Sequence, residues 1–164
     1  MKNKKILNIT KIFIWFIIFN ISQNICNAQT LTISTLYLST DKSEFFSDSL
    51  TLFVQGNTID NNINLVEIKL KYNQDDLIFD SIIYLNGFCE LSLYEFIDSQ
   101  NGEINFACAT TNATTTLDIA KINFTKINSG FTNVSLADSR YYLNNGSGET
   151  IFPETENFNY FLYK

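Results

Sequence analysis

The stretch Leu65–Ile83 constrains the fold more than any other part of this sequence. Its first half, LVEIKLKY, alternates apolar and charged residues, the period-two pattern of a strand that buries one face. The polar tetrapeptide Asn73–Asp76 interrupts the pattern, and Leu77–Tyr84 then resumes as a second apolar, β-branched run. A strand, a polar corner and a second strand predict the nucleus of a β-sheet.

The rest of the chain also consists of short apolar segments separated by polar turns. The full sequence contains 15 Phe, 8 Tyr and a single Pro, and no window is rich enough in helix-forming residues to predict a helix. Turn signals recur every ~8–12 residues, which is typical of an antiparallel β-sandwich. The predicted strands are Leu31–Leu38, Leu50–Gln55, Leu65–Tyr72, Leu77–Tyr84, Leu91–Ile97, Glu103–Ala109, Leu117–Ile127, Phe131–Leu136 and Phe158–Tyr163. The fold class is therefore all-β, with about nine strands in two sheets packed ~10 Å apart.

The first 28 residues have the layout of a secretory signal peptide. A basic start is followed by the apolar run Ile12–Phe19, and Cys26 and Ala28 lie three and one residues before the expected cleavage point. The apolar run is short for a bilayer span, and an uncleaved N-terminal anchor is the alternative. We expect export and a secreted or cell-surface domain spanning residues 29–164.

Cleavage there changes the charge of the chain. The full sequence carries a net charge of −6, and the leader takes four of the 11 basic residues and none of the 17 acidic ones. Seven basic residues then oppose 17 acidic ones, a net charge of −10. Such a surface repels nucleic acid and anionic membranes, because phosphate binding needs clustered Lys and Arg.

Two cysteines, Cys89 and Cys108, remain after processing. In an oxidising compartment they predict one disulfide, and its loop of about 20 residues would stabilise the fold by about 3 kcal/mol. Two free buried thiols are the alternative. Two Cys without His supply too few ligands for zinc.

The sequence offers little for catalysis. It has no His, so the commonest general base and metal ligand is missing, and no Ser or Cys has an imidazole to activate it. The acidic pairs Asp75-Asp76 and Glu154/Glu156 fall in loops or near the terminus, where little would desolvate them. We predict neither an enzyme nor a cofactor.

Three other uses of polar and aromatic residues are weaker. The loops Asn61–Asn64 with Asp60, and Asn73–Asp76, carry oxygens for calcium but lack the EF-hand spacing. Four triplets, beginning at Asn112, Asn123, Asn133 and Asn145, match the glycosylation pattern. Tyr141 and Tyr142 are adjacent, so a regular strand would point them to opposite faces and not towards one sugar.

The order of these segments resembles a cohesin module, the partner of dockerins in cellulose-degrading complexes. LKYNQDDLIFDSI (Leu70–Ile82) is similar to the family's strand ending in Tyr-Asp-Pro, with Asn-Gln standing for Asp-Pro. IAKINFTKINSGFTNVSL (Ile119–Leu136), GEINFACATT (Gly102–Thr111) and the closing FNYFLYK resemble three further cohesin segments. The resemblance implies a nine-stranded sandwich with jelly-roll topology that binds a dockerin-type protein on one sheet face.

In that family the recognition face includes the strand that matches Leu65–Lys71. Alternating polar positions of three predicted strands would form a flat patch if the strands share a sheet. An ordinary solvated sheet face is the alternative. The candidate partner-binding residues are Glu67, Lys69, Lys71, Asn105, Lys121 and Asn123.

Four functions follow in order of preference. The first is a secreted, non-catalytic module that docks a dockerin-type partner in extracellular polysaccharide degradation. The second is a carbohydrate-binding module, which the position of the single Trp, Trp15, in the leader disfavours. A structural or adhesive surface domain is third, and an enzyme is last.

Overall fold

A computed structural model of the chain describes residues 34–40, 47–59 and 61–163. The described residues lie in one unit, Thr32–Lys164, and contain strands and no helix. The predicted signal peptide lies outside them. The strands are β1 (Thr35–Ser39), β2 (Ser49–Asn57), β3 (Ile63–Tyr72), β4 (Leu77–Tyr84), β5 (Leu91–Asp98), β6 (Glu103–Thr114), β7 (Thr116–Lys126), β8 (Gly130–Leu136), β9 (Arg140–Leu143), β10 (Thr150–Ile151), β11 (Glu154–Thr155) and β12 (Phe158–Leu162).

The predicted all-β sandwich is confirmed. Eight of the nine predicted strands lie within the described residues and are present, and the ninth, Leu31–Leu38, is confirmed over its described part as β1. The structure adds three short strands, β9, β10 and β11. β10 and β11 have two residues each, too few to show a period. They are strands because β10 pairs with β9 and β11 pairs with β1, and the local sequence pattern does not predict these pairings.

Two sheets form the sandwich. The five-stranded sheet has the order β11-β1-β2-β7-β4, and the seven-stranded sheet has the order β10-β9-β3-β6-β5. β8 pairs with β3 next to β9 and carries β12 on its other side. The chain crosses repeatedly between the two sheets, as in a jelly roll, and every pairing is antiparallel except that of β1 with β11.

The core lies between the sheets and is closed by aromatic rings that cross from one to the other. The Tyr72 and Phe124 rings lie 5.1 Å apart, and those of Tyr84 and Phe106 lie 5.6 Å apart in an edge-on arrangement. Phe106 and Phe124 are fully buried. Burying a side chain of this size contributes about 1.5–3 kcal/mol, so these rings hold the two layers together.

The corner after β3 forms as the sequence predicts. The Asn73 carbonyl accepts hydrogen bonds from the amides of Asp76 and Leu77, at 3.1 and 3.0 Å. Gly102 lies against it with φ of +64°, and its carbonyl accepts a hydrogen bond from the Tyr72 amide at 2.8 Å. A Cβ on Gly102 would collide with the Tyr72 carbonyl oxygen, so this position needs glycine for its conformation and its space.

The structure joins Cys89 and Cys108 in a disulfide, with their Cα atoms 5.1 Å apart. Cys89 precedes β5 and Cys108 lies within β6, and both side chains are buried. The bond ties the start of the edge strand β5 to its neighbour.

Candidate docking surface

The strand predicted to lie at the centre of the sheet, β3, presents a charged outward surface. Val66, Ile68 and Leu70 are fully buried, so the alternating Glu67 and Lys69 point away from the core. Lys71 follows at the next outward position and is exposed. Asn105 of β6 is the cross-strand partner of Lys69 and shares its side of the sheet. These four candidate residues therefore lie together on what we call the seven-stranded face, the outward side of the seven-stranded sheet.

The expectation that all six candidates share a sheet is wrong for two of them. Lys121 and Asn123 belong to β7, which pairs with β2 and β4 in the five-stranded sheet. They point outward from the opposite side of the sandwich, the five-stranded face. The period-two pattern tells which side chains of a strand face the core, but it does not tell in which sheet the strand lies.

The polar side chains of the five-stranded face largely bind one another. Asn123 accepts a hydrogen bond from Thr51 at 2.9 Å and donates one to Ser81 at 3.0 Å, linking three neighbouring strands. The Lys121 ammonium lies 5.1 Å from the centroid of the Phe53 ring. A face whose polar groups are already paired with one another has the character of a solvated sheet surface.

Both faces expose apolar groups on an edge strand, but they are arranged differently. On the five-stranded face Ile78 and Ile83 of β4 are exposed five residues apart, whereas on the seven-stranded face three exposed groups lie close together along β5. The exposed fractions of Leu93, Tyr94 and Phe96 are 52%, 42% and 55%. Phe96 lies opposite Asn105, and a register shift between Ser92 and Tyr94 marks a bulge in β5. Sequence reasoning identified this strand but assigned none of its residues to the site. The run LSLYEF, with one charge among leucines and aromatics, was the available signal.

The carboxylate of Glu67 is held at the centre of this face by groups from three strands. The Tyr94 hydroxyl of β5 donates to one oxygen at 2.9 Å, and the Tyr142 hydroxyl of β9 donates to the other at 3.3 Å. The Lys69 ammonium lies 3.8 Å away. Burial, and then the hydrogen bond to Glu67, raise the pKa of Tyr94 to about 12. Around this cluster is a shallow apolar depression lined by Leu65, Leu93, Ala107, Tyr94 and Tyr142.

A second, polar depression adjoins it on the same face. It is lined by Lys69, Lys71, Glu103, Asn105 and Asp138. Lys71 and Glu103 form an exposed ion pair at 2.9 Å, and the hydrogen bond to Glu103 raises the pKa of Lys71. The seven-stranded face thus has an apolar half beside a charged half.

Neither depression is lined by a set of residues that could hold a metal ion. The described residues contain no group of three or more His, Cys, Asp or Glu that could hold a metal ion. In the corner considered for calcium, Asn73 donates to Asp76 at 2.6 Å and accepts from the Asp75 amide at 3.1 Å. These are the contacts of a polar turn. In the same part of the chain, no helix is long and apolar enough to cross a bilayer.

The structure is a two-layered β-sandwich whose outward faces differ in the arrangement of their exposed apolar side chains. Solved cohesin modules have this fold. The sixth cohesin of scaffoldin B from Acetivibrio cellulolyticus, solved with a Cel5 dockerin, is similar with a TM-score of 0.65 and 14% identity, over 80% of this chain and 100% of the other. A cohesin module of a family 33 glycoside hydrolase from Clostridium perfringens is similar with a TM-score of 0.61 and 15% identity, over 80% and 96%.

A non-cellulosomal cohesin from the archaeon Archaeoglobus fulgidus is also similar, with a TM-score of 0.62 and 11% identity, over 80% of this chain and 92% of the other. The sequence matches no protein-family model and no curated protein. The chain therefore has the cohesin fold, and the resemblance stated from its sequence is supported by these structures.

Proposed function

We propose that this chain is an exported, non-catalytic, cohesin-type module that docks a dockerin-type protein on its seven-stranded face, in extracellular polysaccharide degradation. The fold supports this, since one of the similar cohesins was solved with a dockerin. The observation that carries the proposal is the difference between the two outward faces. Both faces pair their polar groups and expose apolar side chains, but only on the seven-stranded face do exposed apolar side chains, Leu93 and Tyr94, line one depression beside a fixed carboxylate.

The apolar half would supply most of the affinity. Burial of apolar surface is worth about 25 cal/mol per Å², and interface hot spots are clustered, desolvated side chains, often aromatic. Leu93, Tyr94 and Phe96 form such a cluster, and the small Ala107 leaves the depression open beside them. A partner helix or loop could therefore bury its own apolar side chains there.

The polar half would set orientation and rate. Lys69, Lys71 and Asn105 lie around the second depression, where charges in a rim chiefly alter the on-rate and its salt dependence. Glu67 has its two oxygens fixed by phenol hydroxyls, which prepares it to accept a further hydrogen bond from a partner. Lys121 and Asn123 face the other way and have no part in this surface.

Capture from the source's secreted proteins tests the proposal. The chain, exported through its own leader and tagged at its C-terminus, serves as bait. We expect it to retain chains that carry duplicated calcium-loop helices, and chelation of calcium should release them. Capture that lacks such chains would refute the dockerin assignment.

Two matched alanine substitutions, one on each face, test which face binds the partner. Leu93→Ala removes an apolar side chain 52% exposed on the seven-stranded face, and Ile78→Ala removes one equally exposed on the five-stranded face. We expect the first to weaken dockerin binding about tenfold or more and the second to leave it unchanged. Glu67→Lys should also weaken capture, but it removes the acceptor of two hydrogen bonds and places a second cation beside Lys69, so its melting temperature should fall as well. Equal affinities for the Leu93 and Ile78 variants would remove this face from the proposal.

The carbohydrate-binding alternative has one observation in its favour, an exposed aromatic group where β8 meets β12. Phe131 is 82% exposed, and its ring lies 4.8 Å from that of Phe161, which is 4.8 Å from that of Tyr163. The ring planes meet at 87° and 54°, so they offer no flat platform for stacking on a sugar ring. Retention of the purified chain on insoluble cellulose, without any protein partner, would favour this function instead.

A further inference from the structure

Arg140, the only arginine of the sequence, lies on the seven-stranded face without a polar partner among the described residues. It stands opposite Glu67 in the pairing of β9 with β3, and the next residue, Tyr141, faces the core. Its Nε atom is buried and makes no hydrogen bond, and no carboxylate oxygen of the described chain lies within ion-pair distance of it. A guanidinium has five N–H donors and no acceptor, so a half-buried one is normally bonded.

Two acidic side chains of this face, Glu67 and Glu103, are already engaged. Glu67, its cross-strand neighbour, accepts hydrogen bonds from Tyr94 and Tyr142 and lies beside Lys69. Glu103, on the same face, is paired with Lys71. Among the described residues, the face therefore leaves one guanidinium without a hydrogen bond or an ion pair, opposite a carboxylate whose own partners are fixed.

Phe152 holds the guanidinium in place. The ring of this residue, between β10 and β11, lies 5.4 Å from the Arg140 guanidinium carbon and is itself 65% exposed. An arginine next to an aromatic ring is restrained by a cation–π contact while its in-plane N–H groups remain able to bind. The ring thus orients the donors without occupying them.

We propose that Arg140, positioned by Phe152, binds the carboxylate of an acidic side chain on the docked partner. This inference rests on the proposed function and names one contact within it. The planar fork of a guanidinium matches a carboxylate in a two-point hydrogen bond, which the two terminal NH2 groups would make because the buried Nε atom is out of a partner's reach. A partner that carries Lys at the facing position is rejected by like charge.

Calorimetry with a purified dockerin-type domain from the capture experiment tests the contact. Arg140→Gln removes the charge and the fork, and we expect the Kd to rise about 10- to 100-fold. Arg140→Lys keeps the charge and loses the fork, so it should recover only part of the affinity. Lys121→Gln is the matched control, since that cation also lies over a phenylalanine but on the opposite face, and its Kd should equal that of the wild type.

A scan of Asp→Asn and Glu→Gln changes in the dockerin-type domain completes the test. Neutralising one of these carboxylates should weaken binding to the wild-type chain to the same degree as Arg140→Gln does. The same change should cause no further loss of affinity for the Arg140→Gln variant. Near-ultraviolet circular dichroism of each variant verifies that the sandwich is intact.

The outcomes separate this contact from the docking function. If Arg140→Gln binds as tightly as the wild type while Leu93→Ala is weakened, the Arg140 contact is wrong and the docking proposal stands. If Arg140→Gln weakens binding but no partner carboxylate couples to it, the acidic ligand is wrong. If the wild-type chain binds no dockerin-type domain, the proposed function and this contact fall together.

Discussion

Adjacent tyrosines in β9 provide a stringent test of the sandwich, because the same chemical change should destabilise the fold to different degrees on its two sides. The Tyr141 ring is fully buried between the sheets, and its hydroxyl donates a 2.8 Å hydrogen bond to the Thr35 carbonyl of β1 in the other sheet. The Tyr142 hydroxyl points outward and donates to Glu67 at 3.3 Å. Replacing each with phenylalanine deletes one oxygen atom and keeps the ring.

The expected magnitudes follow from these environments. A buried hydrogen bond contributes roughly 0.5–1.5 kcal/mol, and leaving its acceptor unsatisfied adds a desolvation cost. Tyr141→Phe should therefore lower the free energy of unfolding by about 1–2 kcal/mol, or the melting temperature by roughly 3–7 °C for a domain of this size. Tyr142→Phe loses a longer, half-exposed bond and should cost about 0.5 kcal/mol or less.

Guanidinium unfolding followed by tyrosine fluorescence, with a thermal melt on the same samples, measures both values. The slope against denaturant should be unchanged, because neither variant alters the surface exposed on unfolding. Equal losses for the two variants, or a larger loss for Tyr142→Phe, would refute the assignment of inward and outward faces in β9.

Three further predictions concern the close packing, the disulfide and the alkaline limit of the fold. Gly56→Ala should lower the free energy of unfolding by about 1–3 kcal/mol, because its Cβ would collide with the Tyr141 hydroxyl. The double variant with Tyr141→Phe should lose less free energy of unfolding than the sum of the two single changes, and full additivity in denaturant melts would contradict this. Replacing both Cys89 and Cys108 with alanine should lower the free energy of unfolding by about 2–4 kcal/mol, since the bond closes a loop with a sequence separation of 19; no change in the denaturation midpoint would argue against it. Burial, and then hydrogen bonds to acidic side chains, raise the pKa of Tyr84 and Tyr94 from 10.0 to about 12. The stability that these two protonated hydroxyls contribute should therefore be fully present below about pH 10 and should be lost as the pH rises towards 12. A Tyr84→Phe/Tyr94→Phe variant measured over that range should lose less stability than the wild type, and an equal loss would show that these hydroxyls do not titrate as described.

Local pattern was enough to place the strands that have a core-facing side. In β3 and β7, buried apolar residues alternate with polar ones over about ten positions, so both the strand and its inward side chains follow from the sequence. The corner at Asn73–Asp76 and the turn at Gly102 also follow, since amide side chains and glycine favour those backbone conformations. β10 and β11 could not be predicted, because two-residue strands exist only through their partners.

The candidate site divides along the same line. Glu67, Lys69, Lys71 and Asn105 were brought together as predicted because β3 and β6 are paired, whereas Lys121 and Asn123 were misplaced because β7 pairs in the other sheet. The residues that distinguish the face were missed, since they become a group only when β5 and β9 flank β3 and β6.

By itself the sequence determined the all-β class and the inward and outward sides of the long strands, because both depend on residues close together in the chain. Its composition also showed that no histidine is present to act as a base or a metal ligand. The tertiary structure alone decided which polar side chains share a face, how Tyr94 and Tyr142 hold Glu67, and why the Nε atom of Arg140 has no hydrogen-bond partner among the described residues. Those contacts join segments up to 75 residues apart, and only the pairing of strands across such distances brings them within reach of one another.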